Sequence, residues 1–246
     1  MKVSVLIPVY NEVSTLARVV ERVMAVDMEK EVLIIDDGST DGTWEVIQEL
    51  ATRWPGVVRP LRHERNRGKG AALRTAIPHI TGEVVITQDA DLEYDPADYP
   101  RLLAPFASPE VQVVYGSRNL QRNPRSSWTF YWGGRLLSWL VNLLYGARIT
   151  DEATGYKAFR ADLFRSLQWE ADGFEFCPEV TAKILRRGIR IHEVPISYRP
   201  RSHEEGKKIH WRDGIVAVWT LVRYRFLPGE QGDGEAGKQE SEGTVG

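Results

Sequence analysis

The first 120 residues alternate short apolar runs with stretches in which apolar positions recur every three or four residues. The runs at 3–9, 32–36, 57–62, 84–87 and 111–115 are β-branched and read as buried strands. Between them, residues 13–25, 43–53, 70–77 and 97–106 carry helical spacing. This strand–helix rhythm predicts an α/β fold with a mostly parallel, doubly wound sheet. In such sheets ligands bind beyond the carboxyl ends of the strands. Side chains that carry chemistry are therefore expected just after the strands.

Past residue 120 the pattern changes. Residues 128–146 (WTFYWGGRLLSWLVNLLYG) are strongly apolar, with Arg135, Ser138 and Asn142 forming a narrow polar stripe. Two more strand-like segments, 155–159 and 189–198, flank a helix expected over 178–187. A last amphipathic helix is expected over 211–226, with Trp211, Ile215, Trp219, Val222 and Phe226 on one face. No run reaches the roughly 20 apolar residues that span a bilayer, so any membrane contact is expected to be peripheral.

Composition and charge narrow the picture. The chain's 246 residues suffice for one large α/β domain. A content of 42% apolar and 27% charged residues is ordinary for a globular protein. Residues 229–246 differ: Gly- and Glu-rich, with five acids and one lysine, they are expected to form a disordered acidic tail. That tail accounts for −4 of a total charge of −2 and leaves the expected folded domain, 1–228, at +2. The lone cysteine, Cys177, cannot form an internal disulfide, which fits a reducing compartment. The apolar run ending at Pro8 is too short for a signal-peptide core, so a cytoplasmic location is expected. His63, His79, His192, His203 and His210 lack ligand spacing, and no zinc site follows.

Three strand tips carry candidate chemistry. The first ends in PVYNE (8–12) and the second in DDGSTDG (36–42). Paired carboxylates followed by Gly, Ser, Thr and Asp make a tight turn that aims acceptors into the crevice. Such acceptors suit ribose hydroxyls and the donor edges of a base, although a simple capped turn has the same pattern. The fourth strand ends in TQDADLEYD (87–95), whose acids would repel one another if left unpaired. A hard divalent cation, Mg²⁺ or Mn²⁺, removes that repulsion and neutralises charge developing on a diphosphate leaving group. NRGKG (66–70) lacks the spacing of a P-loop. Its glycines allow a tight entry into the next helix, with Lys69 facing a nucleotide.

PVYNE, DDGSTDGT, NRGKGAALRTA and QDADLEYDP occur in this order, followed by VYGSR (114–118), DEATGYK (151–157) and GFEFCPE (173–179). Together they resemble the family 2 glycosyltransferases of GT-A fold, above all the dolichol-phosphate mannose synthases and bacterial polyprenyl-phosphate transferases. The resemblance covers residues 1–226. It implies an inverting, metal-dependent transfer of a hexose, mannose or glucose, from GDP-mannose or UDP-glucose to a polyprenyl or dolichyl phosphate. Pro8, Tyr10, Glu12 and Asp37 would hold base and ribose. Asp89 and Asp91 would orient ribose, diphosphate and metal, with Glu93 as a further ligand where the dolichol-type enzymes often carry glutamine. A basic loop over 199–212, led by Arg201 and Lys207, would close over the diphosphate.

Arg118 would meet the acceptor phosphate and counts with Asp89 and Asp91 as catalytic. A phosphate acceptor is already anionic and needs cationic positioning more than a base. Arg118 and Arg135 suit that need. The aromatic 128–146 helix, the basic 199–212 stretch, Arg223 and Arg225 suit a membrane interface on the cytoplasmic face. A membrane-anchoring partner is a further expectation; nucleic acid is not. Two rivals stay open. One is the same fold acting on a hydroxyl of a polysaccharide or other acceptor, with Glu175 or Glu179 as base. The other is a catalytically silent scaffold at the membrane surface.

Overall fold

Val3–Val9 (β1) is an interior strand of a seven-stranded sheet; its β-branched residues Val3, Val5, Ile7 and Val9 are buried on one face and Leu6 on the other. The computed structural model describes residues 1–124, 128–201 and 211–227, apart from the side chains of residues 129, 130, 211 and 212. The expected acidic tail at 229–246 and Lys207 lie outside the described residues.

On one side β1 pairs in parallel with β2 (Lys30–Asp36), and β2 with β3 (Val58–Arg62). On the other it pairs in parallel with β4 (Val84–Thr87). The chain thus leaves β1 in both directions, which makes the tips of β1, β2 and β4 a topological switch point. Beyond β4 lie β6 (Lys157–Arg160), β5 (Val113–Ser117) and β7 (Ile191–Pro195), in that spatial order. β6 runs antiparallel to both β4 and β5, while β5 and β7 are parallel. The mostly parallel sheet is as expected, and β6 answers to the strand expected at 155–159; its reversed direction between β4 and β5 is the addition.

The helices cover both faces of the sheet. α1 (Leu16–Ala25) and α2 (Thr43–Arg53) pack on one face, where Leu16, Val19, Val20, Val23, Ile47 and Leu50 meet the sheet. The other face is covered by α3 (Lys69–Ala76), α5 (Trp128–Tyr145), α6 (Ala161–Ser166), α7 (Phe176–Arg186) and α8 (Trp211–Phe226). The helix expected over 97–106 is broken. Only Tyr99–Leu103 (α4) is α-helical, with tighter turns at Pro96–Asp98 and Ala104–Ala107. Pro100 and Pro105 each remove a backbone donor within 97–106, so a continuous ladder cannot form.

α5 and α8 turn unusual faces to the protein. Two members of the polar stripe of α5 point inward: Asn142 exchanges hydrogen bonds with Ile149 (2.8 and 2.9 Å), and Ser138 Oγ accepts from the Glu152 N–H (3.0 Å). Outward-facing are Trp128, Trp132, Leu136, Trp139 and Leu143, each 56–64% exposed. In α8 the buried face is Ala217, Thr220, Leu221 and Tyr224, whereas Ile215, Trp219 and Phe226 of the expected apolar face are exposed. Among the described residues no helix is long and apolar enough to cross a membrane.

Candidate active site

A cavity of about 1330 Å³ opens over the carboxyl ends of the strands and runs out between α5 and α8. Pro8, Tyr10, Glu12, Asp37, Lys69, Asp89, Asp91, Glu93, Arg118, Arg135 and Arg201 all line it. The strand register explains this convergence. Val9 lies opposite Asp36 and Leu6 opposite Thr87, so the residues that follow emerge side by side.

The β2 turn is held from every side. Asp36 accepts from the Ser39 N–H (3.0 Å), Ser39 Oγ accepts from the Asn11 N–H (2.9 Å), and Asn11 Oδ1 accepts from the Thr40 N–H (2.9 Å). Gly38 adopts φ +75° against the backbone of Arg65 and Asn66, where a Cβ would collide. Asp37 accepts from the Arg67 and Gly68 N–H groups (2.9 and 2.7 Å) and contacts His63 Nδ1 at 2.7 Å. Asp37, expected to hold base or ribose, lines the cavity and also fixes the NRGKG entry to α3 through both oxygens. His63, for which the sequence offers no role beyond excluding a zinc site, bridges Asp37 to Thr75 Oγ1 (2.8 Å). Its spacing to Asp37 carries no motif, so only the fold reveals it.

The acidic cluster at the β4 tip is compensated by two cations. Lys69 forms an ion pair with Asp89. Burial opposes the charge on Lys69, yet Asp89 and its neighbours hold the ammonium above its usual value. Arg201 reaches Glu12 through both terminal nitrogens (3.2 and 2.8 Å) and lies 3.8 Å from Asp91. Burial, then the charges of Asp89 and Glu93, push the Asp91 carboxyl up to about 7. Glu93, the expected further metal ligand, has both oxygens in hydrogen bonds. Its Oε2 accepts from Tyr198 Oη (3.0 Å) and its Oε1 from the Arg201 N–H (2.9 Å), which fastens the 199–201 segment to the β4 loop. Among the described residues no three His, Cys, Asp or Glu side chains are arranged around one ion. The crowding that raises Asp91 is nonetheless what a cation relieves, so Asp89 and Asp91 fit a metal whose remaining ligands come from a substrate.

At the other end, Arg118 is locked by a fork to Asp151: Nε and Nη2 each donate at 2.7 Å, and the Arg118 N–H donates at 2.9 Å. The Tyr198 ring lies 5.1 Å from the guanidinium carbon. Asp151 is 1% exposed, and Glu193 steadies its loop by accepting from the Thr150 and Asp151 N–H groups (2.8 and 3.0 Å). Arg135 is exposed at the lip of the cavity. Neither base of the hydroxyl-acceptor rival lines the cavity. Glu179 is buried and accepts from Glu170 N–H, Ala171 N–H and Tyr224 Oη, all at 2.8 Å. Glu175 accepts from the Gly173 N–H (3.1 Å). Cys177 lies at the cavity wall, and burial pushes its thiol up, away from nucleophilic character.

Residues 4–168 match the family model described as glycosyl transferase family 2. The chain belongs to that family. Among its relatives, the undecaprenyl-phosphate mannosyltransferase of Micrococcus luteus is 31% identical over 92% of this chain and 99% of its own length. The undecaprenyl-phosphate 4-deoxy-4-formamido-L-arabinose transferase of Edwardsiella ictaluri is also 31% identical, over 83% of this chain. The dolichol-phosphate mannosyltransferase of Pyrococcus furiosus is 28% identical over 84% of it. This chain spans 62% and 59% of the Edwardsiella and Pyrococcus proteins. In fold it resembles glucosyl-3-phosphoglycerate synthase from Mycobacterium tuberculosis, solved with UDP, at a TM-score of 0.72 and 22% identity. That match covers 93% of this chain and 82% of the other. As a family 2 glycosyltransferase of GT-A fold, the protein has its acidic cluster and its locked arginine in one cavity.

Proposed function

We propose that this glycosyltransferase moves a hexose, mannose or glucose, from a nucleoside-diphosphate sugar such as GDP-mannose or UDP-glucose to a polyprenyl phosphate, with inversion. One observation carries the reading: a single cavity joins the Asp89–Asp91 cluster to the Arg118–Asp151 fork and opens between two helices with outward-facing tryptophans. The Micrococcus and Pyrococcus relatives, named for transfer of mannose to such lipids, support it. So does the M. tuberculosis synthase, which has been solved with Mn²⁺ and UDP.

The chain's own residues divide the work. Pro8, Tyr10 and the turn built on Asp37 form the nucleotide end. Asp89 and Asp91 are the residues that would hold Mg²⁺ or Mn²⁺, which supplies charge neutralisation on the departing diphosphate. Lys69 and Arg201 lie beside the same carboxylates and are placed to turn their charge onto phosphate oxygens; Lys207, outside the described residues, is a further candidate. Arg118 is held rigid by Asp151, which leaves Nη1 to meet an anionic acceptor without loss of side-chain freedom. Arg135 adds positive charge at the lip. The aromatic faces of α5 and α8 lie in the headgroup region on the cytoplasmic side of the membrane, so the protein is peripheral there, alone or with an anchoring partner.

The test is where the sugar goes. Labelled GDP-mannose or UDP-glucose is incubated with the protein, Mn²⁺ and undecaprenyl phosphate in detergent. The label should move into the organic phase, and mild acid should release it as free hexose. Label confined to aqueous products would replace the lipid acceptor with a soluble one.

A further inference from the structure

The carboxylates around the cavity are almost all engaged. Glu12 holds Arg201, Asp37 holds two N–H groups, Asp89 pairs with Lys69, Glu93 holds Tyr198 and Arg201, and Asp151 forks Arg118. Glu152 differs. It lies on the loop between α5 and β6, is 1% exposed, and lines the cavity. Its side chain takes one long hydrogen bond, from Thr181 Oγ1 to Oε1 (3.3 Å), and forms no other hydrogen bond or ion pair among the described residues. The nearby cation does not satisfy it. Lys157 Nζ donates to the carbonyls of Glu152 and Thr154 (2.7 and 2.8 Å) and sits over the Tyr115 ring. The second oxygen accepts nothing from the described residues and belongs to a side chain that lines the cavity, so the fold holds the carboxyl at one atom only.

Its position suggests what it awaits. The loop that carries Glu152 begins on one side at Asp151, which forks Arg118. On the other it reaches Gly155, which packs against the Asp89 carboxylate and the Tyr94 ring. It therefore lies between the diphosphate end and the acceptor end of the cavity. A phosphate would be repelled there; a neutral polyol would not. From this placement we infer that Glu152 is a specificity-determining residue, whose free oxygen hydrogen-bonds a hydroxyl of the sugar being transferred. The inference rests on the proposed transferase function and deepens it. Burial pushes the carboxyl up from its usual range, with Lys157 opposing. The backbone around it is fixed by Ser138 on α5 and Thr181 on α7, which keeps the carboxyl in place before the sugar arrives.

The test compares donors that differ by one hydroxyl. For the preferred nucleoside-diphosphate hexose and its monodeoxy analogues, kcat/KM is measured in the wild type, Glu152→Gln and Glu152→Ala. Removing the hydroxyl that Glu152 reads should cost the wild type about 100-fold, the weight of a charge-assisted hydrogen bond in a buried site. In Glu152→Ala that ratio should fall to about 5-fold or less, because the intact donor weakens while the deoxy donor does not. Affinity for the sugar-free nucleoside diphosphate should stay unchanged in every variant. If Glu152→Ala does not fold, the isosteric Glu152→Gln decides: its ratio must fall several-fold while its melting curve matches the wild type. An unchanged ratio, or equal losses on every donor, overturns the inference and leaves the transferase reading standing. A wild type that binds no nucleoside diphosphate overturns both.

Discussion

Asp37 and Asp91 both follow strand tips, and the protein uses them in opposite ways. Asp37 is satisfied by backbone donors and His63, so it builds the site. Asp91 keeps a carboxyl pushed up to about 7 by burial and by its acidic neighbours, so without a cation it strains the site. The sign of its effect follows. A folded-state value above the unfolded one means that this group weakens the apo protein as pH rises from about 4 to 7, and the cost is complete above that range. Asp91→Asn should therefore raise the apo melting temperature at pH 8, leave it nearly unchanged at pH 4, and reduce transfer by at least about 100-fold. Near-normal turnover would remove Asp91 from the metal site. Arg118 demands more care, because Arg118→Ala strands the buried Asp151 and should cost about 3–5 kcal/mol of stability. Arg118→Lys keeps the charge without the fork. In steady-state kinetics it should raise the acceptor KM about tenfold or more and leave the donor KM unchanged; equal effects on both would contradict its assigned role.

α5 and α8 show how far periodicity goes and where it stops. Apolar spacing located both helices to the residue or nearly so, but did not say which face turns inward. In α5 two members of the polar stripe turn inward, because Ser138 and Asn142 hydrogen-bond the 149–152 loop that carries Asp151. The tryptophans are thereby left outside. Replacing Trp132, Trp139 and Trp219 together with serine should abolish binding to anionic vesicles in a flotation assay and leave the melting temperature within a degree or two, since exposed side chains contribute little to folding. By contrast Leu221→Ala, on the buried face of α8, should cost about 2–5 kcal/mol in chemical denaturation. Retained flotation in the triple variant would assign the aromatic face to something other than lipid. The 97–106 segment marks another limit, where Pro100 and Pro105 cut a helical pattern that the apolar spacing alone suggested.

At the scale of the molecule, the switch point made the site legible. Once β-branched runs alternate with helices, the residues after them must gather at one edge. Every described residue that the sequence assigns to nucleotide, metal or acceptor phosphate lines one cavity. Their partners were hidden. Arg201 meets Glu12 across 189 positions and Arg118 meets Asp151 across 33, and no spacing rule reports contacts made through space. The antiparallel insertion of β6 was hidden for the same reason, since its neighbours β4 and β5 are chosen by packing. What unites these contacts is charge: Lys69 and Arg201 stand among the acids at one end, and Asp151 aims an arginine at the other. The decisive question is whether the acidic end takes a cation together with a nucleotide. Crystals grown with Mn²⁺ and a nucleoside diphosphate, measured at the manganese edge, test this most directly. One anomalous peak against the Asp89 and Asp91 carboxylates, with the diphosphate beside it and Arg201 drawn from Glu12 toward phosphate, is the predicted result. A nucleotide bound with no ion at those carboxylates, or an ion lodged elsewhere, would contradict it.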